Sequence, residues 1–229
     1  MRLSSFRLWV FDLDGTLVDS RLDLANAVNA TLESRGLAPQ PEDLIVSFVG
    51  DGADDLLRRS FEAAGAKPGD SLLGAGFSGL MREFLDYYGA HCLDRTAPYP
   101  GAREFLGALA ARGLPLAILT NKPARATETV LAGLGLRDLF RHIVPGDGPL
   151  GKKPDPAGLA YILKAMNASP LDSVLVGDSL QDLRTARAAG TSFVAYSGGL
   201  GDAESVAAAG PDFSTDSFHA LLAKLESET

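Results

Sequence analysis

The sequence predicts an α/β fold in which a parallel sheet is covered by helices on both faces and interrupted early by an all-helical insertion. Three observations carry that prediction. Apolar runs of strand length alternate with helical stretches through the second half of the chain. One such run opens the chain and stops abruptly at an acidic residue. Between this first run and the next lies a long tract that reads as helices, with no credible strand.

Taken in order, Leu8-Trp9-Val10-Phe11 is the first strand, and Asp12 ends it. From about Ser20 to Ala90 the spacing becomes helical. Leu22, Ala25, Val28 and Leu32 share one face, and Gly36, Pro39 and Pro41 then break the pattern. A second helix over 53–64 carries Leu56, Leu57 and Phe61. A third stretch carries Leu73, Phe77, Leu80, Met81, Phe84, Leu85 and Tyr88 in steps of three and four. The expected crossings between sheet and insertion lie near 18–21 and 91–100. That divides the chain into a core of residues 1–18 and 95–229 and a helical cap of residues 19–94. Further strands are expected over 114–119, 143–144, 174–176 and 193–195. Helices are expected over 102–112, with Phe105, Leu106 and Leu109 on one face, and over 156–166, with Leu159, Ile162 and Leu163 together.

Composition narrows the function classes. With 229 residues, 46% hydrophobic and 22% charged, the chain is an ordinary globular mix, which argues against disorder and against a small disulfide scaffold. Twenty-nine acidic against 21 basic residues give a net charge of −8, the wrong sign for a protein that tracks nucleic-acid phosphates. No apolar run approaches a membrane span, and no cleavable signal peptide is read at the N-terminus. A single cysteine, Cys92, excludes internal disulfides and thiolate metal cages and fits a cytoplasmic location. A monomer and a homodimer are both compatible with the sequence.

Four places carry chemistry. Asp12-Leu13-Asp14-Gly15-Thr16 puts two carboxylates at the end of a strand, the edge of an α/β sheet at which ligands bind; a plain Asp-Gly turn is the competing reading. Thr120-Asn121-Lys122 follows the strand over 114–119. Its hydroxyl, amide and free backbone N–H groups suit phosphoryl oxygens and equally suit a helix N-cap. Gly177-Asp178-Ser179, followed by Asp182, delivers further carboxylates from another buried strand. Lys152-Lys153-Pro154-Asp155-Pro156 offers a lysine to neutralise an anionic intermediate, although most loop lysines are simply solvated. If the strands converge, Asp12, Asp14, Asp178 and Asp182 crowd four like charges together. An oxygen-rich, incomplete shell of that kind calls for a hard cation such as Mg²⁺.

These four motifs, in this order over Asp12 to Asp182, resemble those of the haloacid dehalogenase superfamily. The resemblance implies a Rossmann-like, doubly wound core with a helical cap inserted after the first motif. Within the superfamily the chain is similar to phosphoglycolate phosphatases. The supporting residues are the run Phe11 to Ser20, Tyr99-Pro100-Gly101, Thr120-Asn121-Lys122-Pro123 and the cap segment Val49-Gly50-Asp51-Gly52-Ala53. That segment departs from the family's Val-Gly-Asn-Gly-Ala at Asp51, which is expected to add negative charge near an anionic substrate.

The resemblance implies hydrolysis of a small phosphorylated metabolite, 2-phosphoglycolate first, through an aspartyl-phosphate. In that scheme Asp12 is the nucleophile and Asp14 the general acid and base. Magnesium is held by Asp12, Asp178 and the backbone carbonyl of Asp14. Thr120, Asn121 and Lys153 bind phosphoryl oxygens, Asp182 supports the metal or Lys153 from behind, and Gly50, Asp51 and Gly52 form a specificity loop. Arg58 and Arg59 are read as solvated helix residues. Another phosphatase, a pyrophosphatase or a phosphomutase would use the same core. A phospho-aspartate signalling module is disfavoured because the Asp-x-Asp pair opens the chain and a large insertion follows it. The near P-loop at Gly146 to Lys152 has Lys153 where a hydroxyl is needed, and is read as coincidence.

Overall fold

The computed structural model describes residues 2–67 and 69–228. Strand β1 (Leu8–Phe11) leads through a two-residue strand β2 (Val18–Asp19) into helices α1 (Arg21–Glu33), α2 (Glu42–Val46), α3 (Ala53–Ala63) and α4 (Phe77–His91). A second short strand, β3 (Ala97–Pro98), precedes the alternating part of the chain. That part comprises α5 (Ala102–Ala111), β4 (Leu116–Leu119), α6 (Ala124–Gly133), β5 (Phe140–Val144), α7 (Ala157–Ala165), β6 (Ser173–Gly177), α8 (Leu180–Ala189) and β7 (Ser192–Tyr196). Helix α9 (Ala203–Ala208), strand β8 (Phe213–Thr215) and helix α10 (Phe218–Ser227) complete it.

Six strands form one parallel sheet in the order β5-β4-β1-β6-β7-β8. The chain therefore runs outward from β1 to one edge, returns, and runs outward to the other. The carboxyl ends beside β1 lie where that order reverses, the position of ligand sites in open α/β sheets. Every residue of β1, β4 and β6 is buried, as expected of strands covered on both faces.

Alternation along β1 divides the core in two. Leu8 and Val10 join Leu159, Ile162 and Leu163 of α7, Leu183 and Ala186 of α8, and Val206 of α9. Trp9 and Phe11 face the other way, among Phe105, Leu106 and Leu109 of α5 and Phe218, Leu221 and Leu225 of α10. The Trp9 ring meets that of Phe105 edge-on at 5.3 Å, and Phe105 meets Phe218 at 5.9 Å. Truncating such a ring costs about 3–5 kcal/mol, so β1 has little freedom to shift and Asp12 is delivered to a fixed point.

The predicted crossings turn out to lie side by side. Val18 pairs with Pro98 and Asp19 with Ala97 in a short antiparallel ladder. Buried Asp23, in the first turn of α1, adds a clasp: its Oδ2 accepts hydrogen bonds from Arg95 N, Thr96 N and Thr96 Oγ1 at 3.0, 2.8 and 2.7 Å. Helices α1 to α4 pack on one another beyond this double crossing. Helix α2, the β2–β3 ladder and edge strand β8 add to the expected elements. Strand β5 begins three residues earlier than expected, at Phe140.

Candidate active site

The carboxyl ends of β1, β4 and β6 bring the predicted residues together. Asp12 continues β1 and ties itself to β6 through its N–H, which donates to Val176 O at 3.0 Å. The chain then turns at Gly15, whose φ of +81° is one that residues with a side chain resist. Space also requires glycine there, because a Cβ would lie 2.2 Å from Asp178 Oδ2. Asp178, at the end of β6, is held on both oxygens. Thr16 Oγ1 donates to Oδ1 at 3.0 Å, and the N–H groups of Leu200 and Gly201 each donate to Oδ2 at 2.9 Å. Gly199 lets this loop close in, since a Cβ there would meet Gly15 O at 2.1 Å.

Asp182 reaches the cluster through a capping box at the start of α8. Ser179 Oγ accepts from Asp182 N, and Asp182 Oδ2 accepts from Ser179 N. Its other oxygen accepts from Lys153 Nζ at 2.6 Å. The same ammonium lies 2.8 Å from Asp12 Oδ1, near enough for an ion pair but off hydrogen-bond alignment, so that buried oxygen keeps unfilled lone-pair capacity. All three side chains are almost wholly enclosed, with Lys153 at 2%, Asp12 at 11% and Asp182 at 0% exposure.

One lysine does not neutralise this group. Oxygens of Asp12, Asp178 and Asp182 lie within 4.8 Å of one another. Burial, then repulsion from Asp182 and Asp178, outweighs Lys153 and pushes the Asp12 carboxyl up to about 7. Burial and Asp182 push Asp178 up to about 6 against the pull of its three donors. The carboxylates of Asp12 and Asp178, the excess negative charge that Asp182 adds and an under-bonded Asp12 oxygen fit a small divalent cation.

Asp14 takes a different course. Its carboxylate turns from the cluster toward Lys122, whose Nζ donates to Oδ1 and Oδ2 at 2.9 Å each, and Ser20 Oγ donates to Oδ1 at 2.7 Å. Lys122 Nζ also donates to Tyr88 Oη at 2.5 Å. Burial works against the Lys122 ammonium, but Asp14 and Tyr88 outweigh it and raise its pKa.

Thr120 ends β4, buried, and its hydroxyl oxygen accepts from Lys122 N at 3.2 Å. The Asn121 side chain is committed to main chain. Its Nδ2 donates to Gly50 O at 2.8 Å and to Lys153 O at 3.0 Å, while Oδ1 accepts from Lys153 N at 2.8 Å. Asn121 thus ties the 50–52 loop to the lysine loop, leaving its side-chain amide hydrogens no freedom to turn to a phosphoryl oxygen in this arrangement.

The 50–52 loop sits on the core at further points. Gln181 Nε2 donates to Asp51 Oδ1 at 2.5 Å, and Lys152 Nζ donates to Asp54 Oδ2 at 2.8 Å. Gly52, with φ of +99°, packs against the Lys152 side chain. Asp51 faces Gln181 and Arg59, while its neighbours Gly50 and Gly52 line the pocket. Arg59 is exposed with its guanidinium over the ring of Phe48, and Arg58 is half-buried over the ring of Phe77.

The pocket between the two parts is lined by Asp12, Asp14, Thr120 and Lys122 on one side and by Leu24, Val49, Leu56, Phe84 and Tyr88 on the other. Among its described lining residues Lys122 is the one cation. Sequence reasoning gave no part to Lys122, Tyr88 or the 198–201 loop. Lys122 follows Thr120-Asn121 directly, a visible signal, but Tyr88 reads as one more apolar position on a helix face.

The comparisons agree with this geometry. A family model of haloacid dehalogenase-like hydrolases matches residues 9–196. The chain is 40% identical to the phosphoglycolate phosphatase of Rhodospirillum rubrum, an alignment covering 93% of this chain and 88% of that one. It is 41% identical to the phosphoglycolate phosphatase of Chromobacterium violaceum, covering 91% of this chain and 92% of that one. Among solved structures, a predicted phosphoglycolate phosphatase from Haemophilus somnus matches with a TM-score of 0.90 at 34% identity, covering 96% of this chain and 98% of that one. On sheet order, motif placement and similarity over nearly its whole length, the chain belongs to the haloacid dehalogenase-like hydrolases.

Proposed function

We propose that the chain is a Mg²⁺-dependent phosphate monoester hydrolase that works through an aspartyl-phosphate on Asp12, with 2-phosphoglycolate as substrate. One observation supports it above the others. Asp12 and Asp14 leave the same strand end and line the same pocket, yet they have separate partners, Lys153 for Asp12 and Lys122 with Ser20 for Asp14. A nucleophile and a proton carrier need that separation, because one must stay ionised toward phosphorus while the other exchanges a proton with the leaving group.

In the first step Asp12 attacks phosphorus and the bond to the ester oxygen breaks. Asp14 gives its proton to the departing alkoxide. In the second step water attacks the same phosphorus, Asp14 takes the proton back, and Asp12 is released with inorganic phosphate. Lys153 and the Thr120 hydroxyl hold phosphoryl oxygens during both transfers, and Asp182 keeps Lys153 pointed inward. Asp12, Asp178 and the backbone carbonyl of Asp14 would hold the Mg²⁺, which when bound supplies charge neutralisation between Asp12 and the incoming dianion.

Residues 19–94 act in this reading as a cap on a core of 1–18 and 95–229. The loop Gly50-Asp51-Gly52 closes over the substrate, and the apolar side of the pocket excludes water. Its small size suits a short leaving group, which supports the substrate borne in the relatives' names. Buried Cys92 suits a reducing cytoplasm. Ranking small phosphate esters by kcat/KM tests the substrate. The reading expects 2-phosphoglycolate at the top, and a higher rank for pyrophosphate or a sugar phosphate overturns it.

A further inference from the structure

We propose that Lys122, fixed by Tyr88 of α4, is a positioning residue that sets the Asp14 carboxylate for both of its proton transfers; this rests on the aspartyl-phosphate reading above. The ammonium spans both Asp14 oxygens at 2.9 Å, which fixes the plane of the carboxylate as well as its place. Its remaining direction is taken by Tyr88 Oη at 2.5 Å, and it lies 4.6 Å from the centre of the Tyr88 ring. All three of its donors are thus engaged within the protein. Lys122 is therefore not built to follow a phosphoryl group, a task left to Lys153 on the far side of Asp12.

The arrangement is a costly way to stabilise a core. The Lys122 side chain is 2% exposed and that of Asp14 13%. Buried pairs of this kind are often no better for stability than apolar residues of the same volume. Position explains it better. Ser20, the other partner of Asp14, precedes α1, and Tyr88, which holds Lys122, lies near the end of α4, so one end of the helical insertion reaches this carboxylate directly and the other through Lys122. An Asp14 freed from Lys122 and Tyr88 could rotate away from the ester oxygen while Asp12, Lys153 and the metal-binding carboxylates kept their own contacts.

Leaving-group chemistry separates this role from a structural one. An alkyl ester such as 2-phosphoglycolate needs its departing oxygen protonated, whereas p-nitrophenolate departs as the anion. Because kcat/KM reports only the steps through departure of the alcohol, Lys122→Met is expected to lower it about 100-fold for 2-phosphoglycolate and no more than about threefold for p-nitrophenyl phosphate. The second step also needs Asp14 as base, so the variant should release a burst of one p-nitrophenolate per active site before a slower steady state. Tyr88→Phe, which keeps the ring, should show the same selectivity at smaller size and decides the matter if Lys122→Met does not fold. Equal losses on both esters in folded protein, with no burst, overturn the proposal. If the wild-type enzyme carries no phosphate on Asp12, the underlying reading fails instead, and the two failures are told apart.

Discussion

Lys152 and Lys153 are consecutive and reach opposite ways, Lys152 Nζ to Asp54 Oδ2 at 2.8 Å on α3 and Lys153 Nζ to Asp12 Oδ1 at 2.8 Å at the end of β1. One loop thus fastens the helical insertion on its outside and faces the acidic cluster on its inside. The two contacts differ in burial, and so in consequence.

Lys153→Met should lower kcat by about 10²–10³-fold or more, since it removes a fixed cation from the transferring group. It should also destabilise the metal-free protein by about 3–5 kcal/mol, because buried carboxylates lose their counter-ion. Lys152→Ala breaks a pair whose Asp54 side is 58% exposed, and should change stability by less than about 1 kcal/mol. Urea unfolding of both variants checks the contrast, and equal losses would contradict it.

The raised carboxyls make a pH prediction whose sign is opposite to that of an ordinary salt-bridged aspartate. Folded Asp12 and Asp178 hold protons up to about 7 and about 6, whereas an unfolded aspartate releases its proton near 3.8. The folded state therefore binds more protons across that window, and these two groups make metal-free stability fall as pH rises through it. The Asp12→Asn variant should fall less steeply than wild type. Mg²⁺ must displace those protons, so its stabilising effect should be larger at pH 8 than at pH 5. Thermal melts with EDTA and with Mg²⁺ measure both, and a Mg²⁺ shift independent of pH would contradict the assignment.

Gly199→Ala should cost about 1–3 kcal/mol and weaken Mg²⁺ binding, because the new methyl would lie 2.1 Å from Gly15 O and 2.5 Å from Asp178 Cβ. Gly107 in α5 is the control, with nothing within 4 Å of a Cβ. Alanine there should stabilise by about 0.5–1 kcal/mol. Calorimetric Mg²⁺ titration and thermal melts report the two effects.

Much of this was legible in the sequence where chemistry and periodicity coincide. The run Leu8 to Phe11 is apolar throughout and ends at a carboxylate, so β1 and its functional end were readable together. Strand β5 was cut short because exposed Arg141 and half-buried His142 interrupt its apolar pattern at the sheet edge. Strands β2, β3 and β8 are two or three residues long and exist through pairing, which no local pattern announces. That Asp12, Asp178, Asp182 and Lys153 come together was readable because motifs rich in carboxylates recur at the ends of apolar runs. Lys122 and Tyr88 were missed because a buried lysine takes its meaning from partners 34 and 108 residues away. The 198–201 loop carries no side-chain signal for its part, which comes from two backbone N–H groups that any residue but proline has.

The central claim is that phosphate passes through a bond to Asp12. Rapid acid quench during turnover of 2-phosphoglycolate, followed by peptide mass spectrometry, tests it most directly. The account predicts a phosphoryl group on Asp12 in wild type and none in Asp12→Asn, which should be folded and inactive. Phosphate on a different residue, or an active Asp12→Asn enzyme, would contradict it.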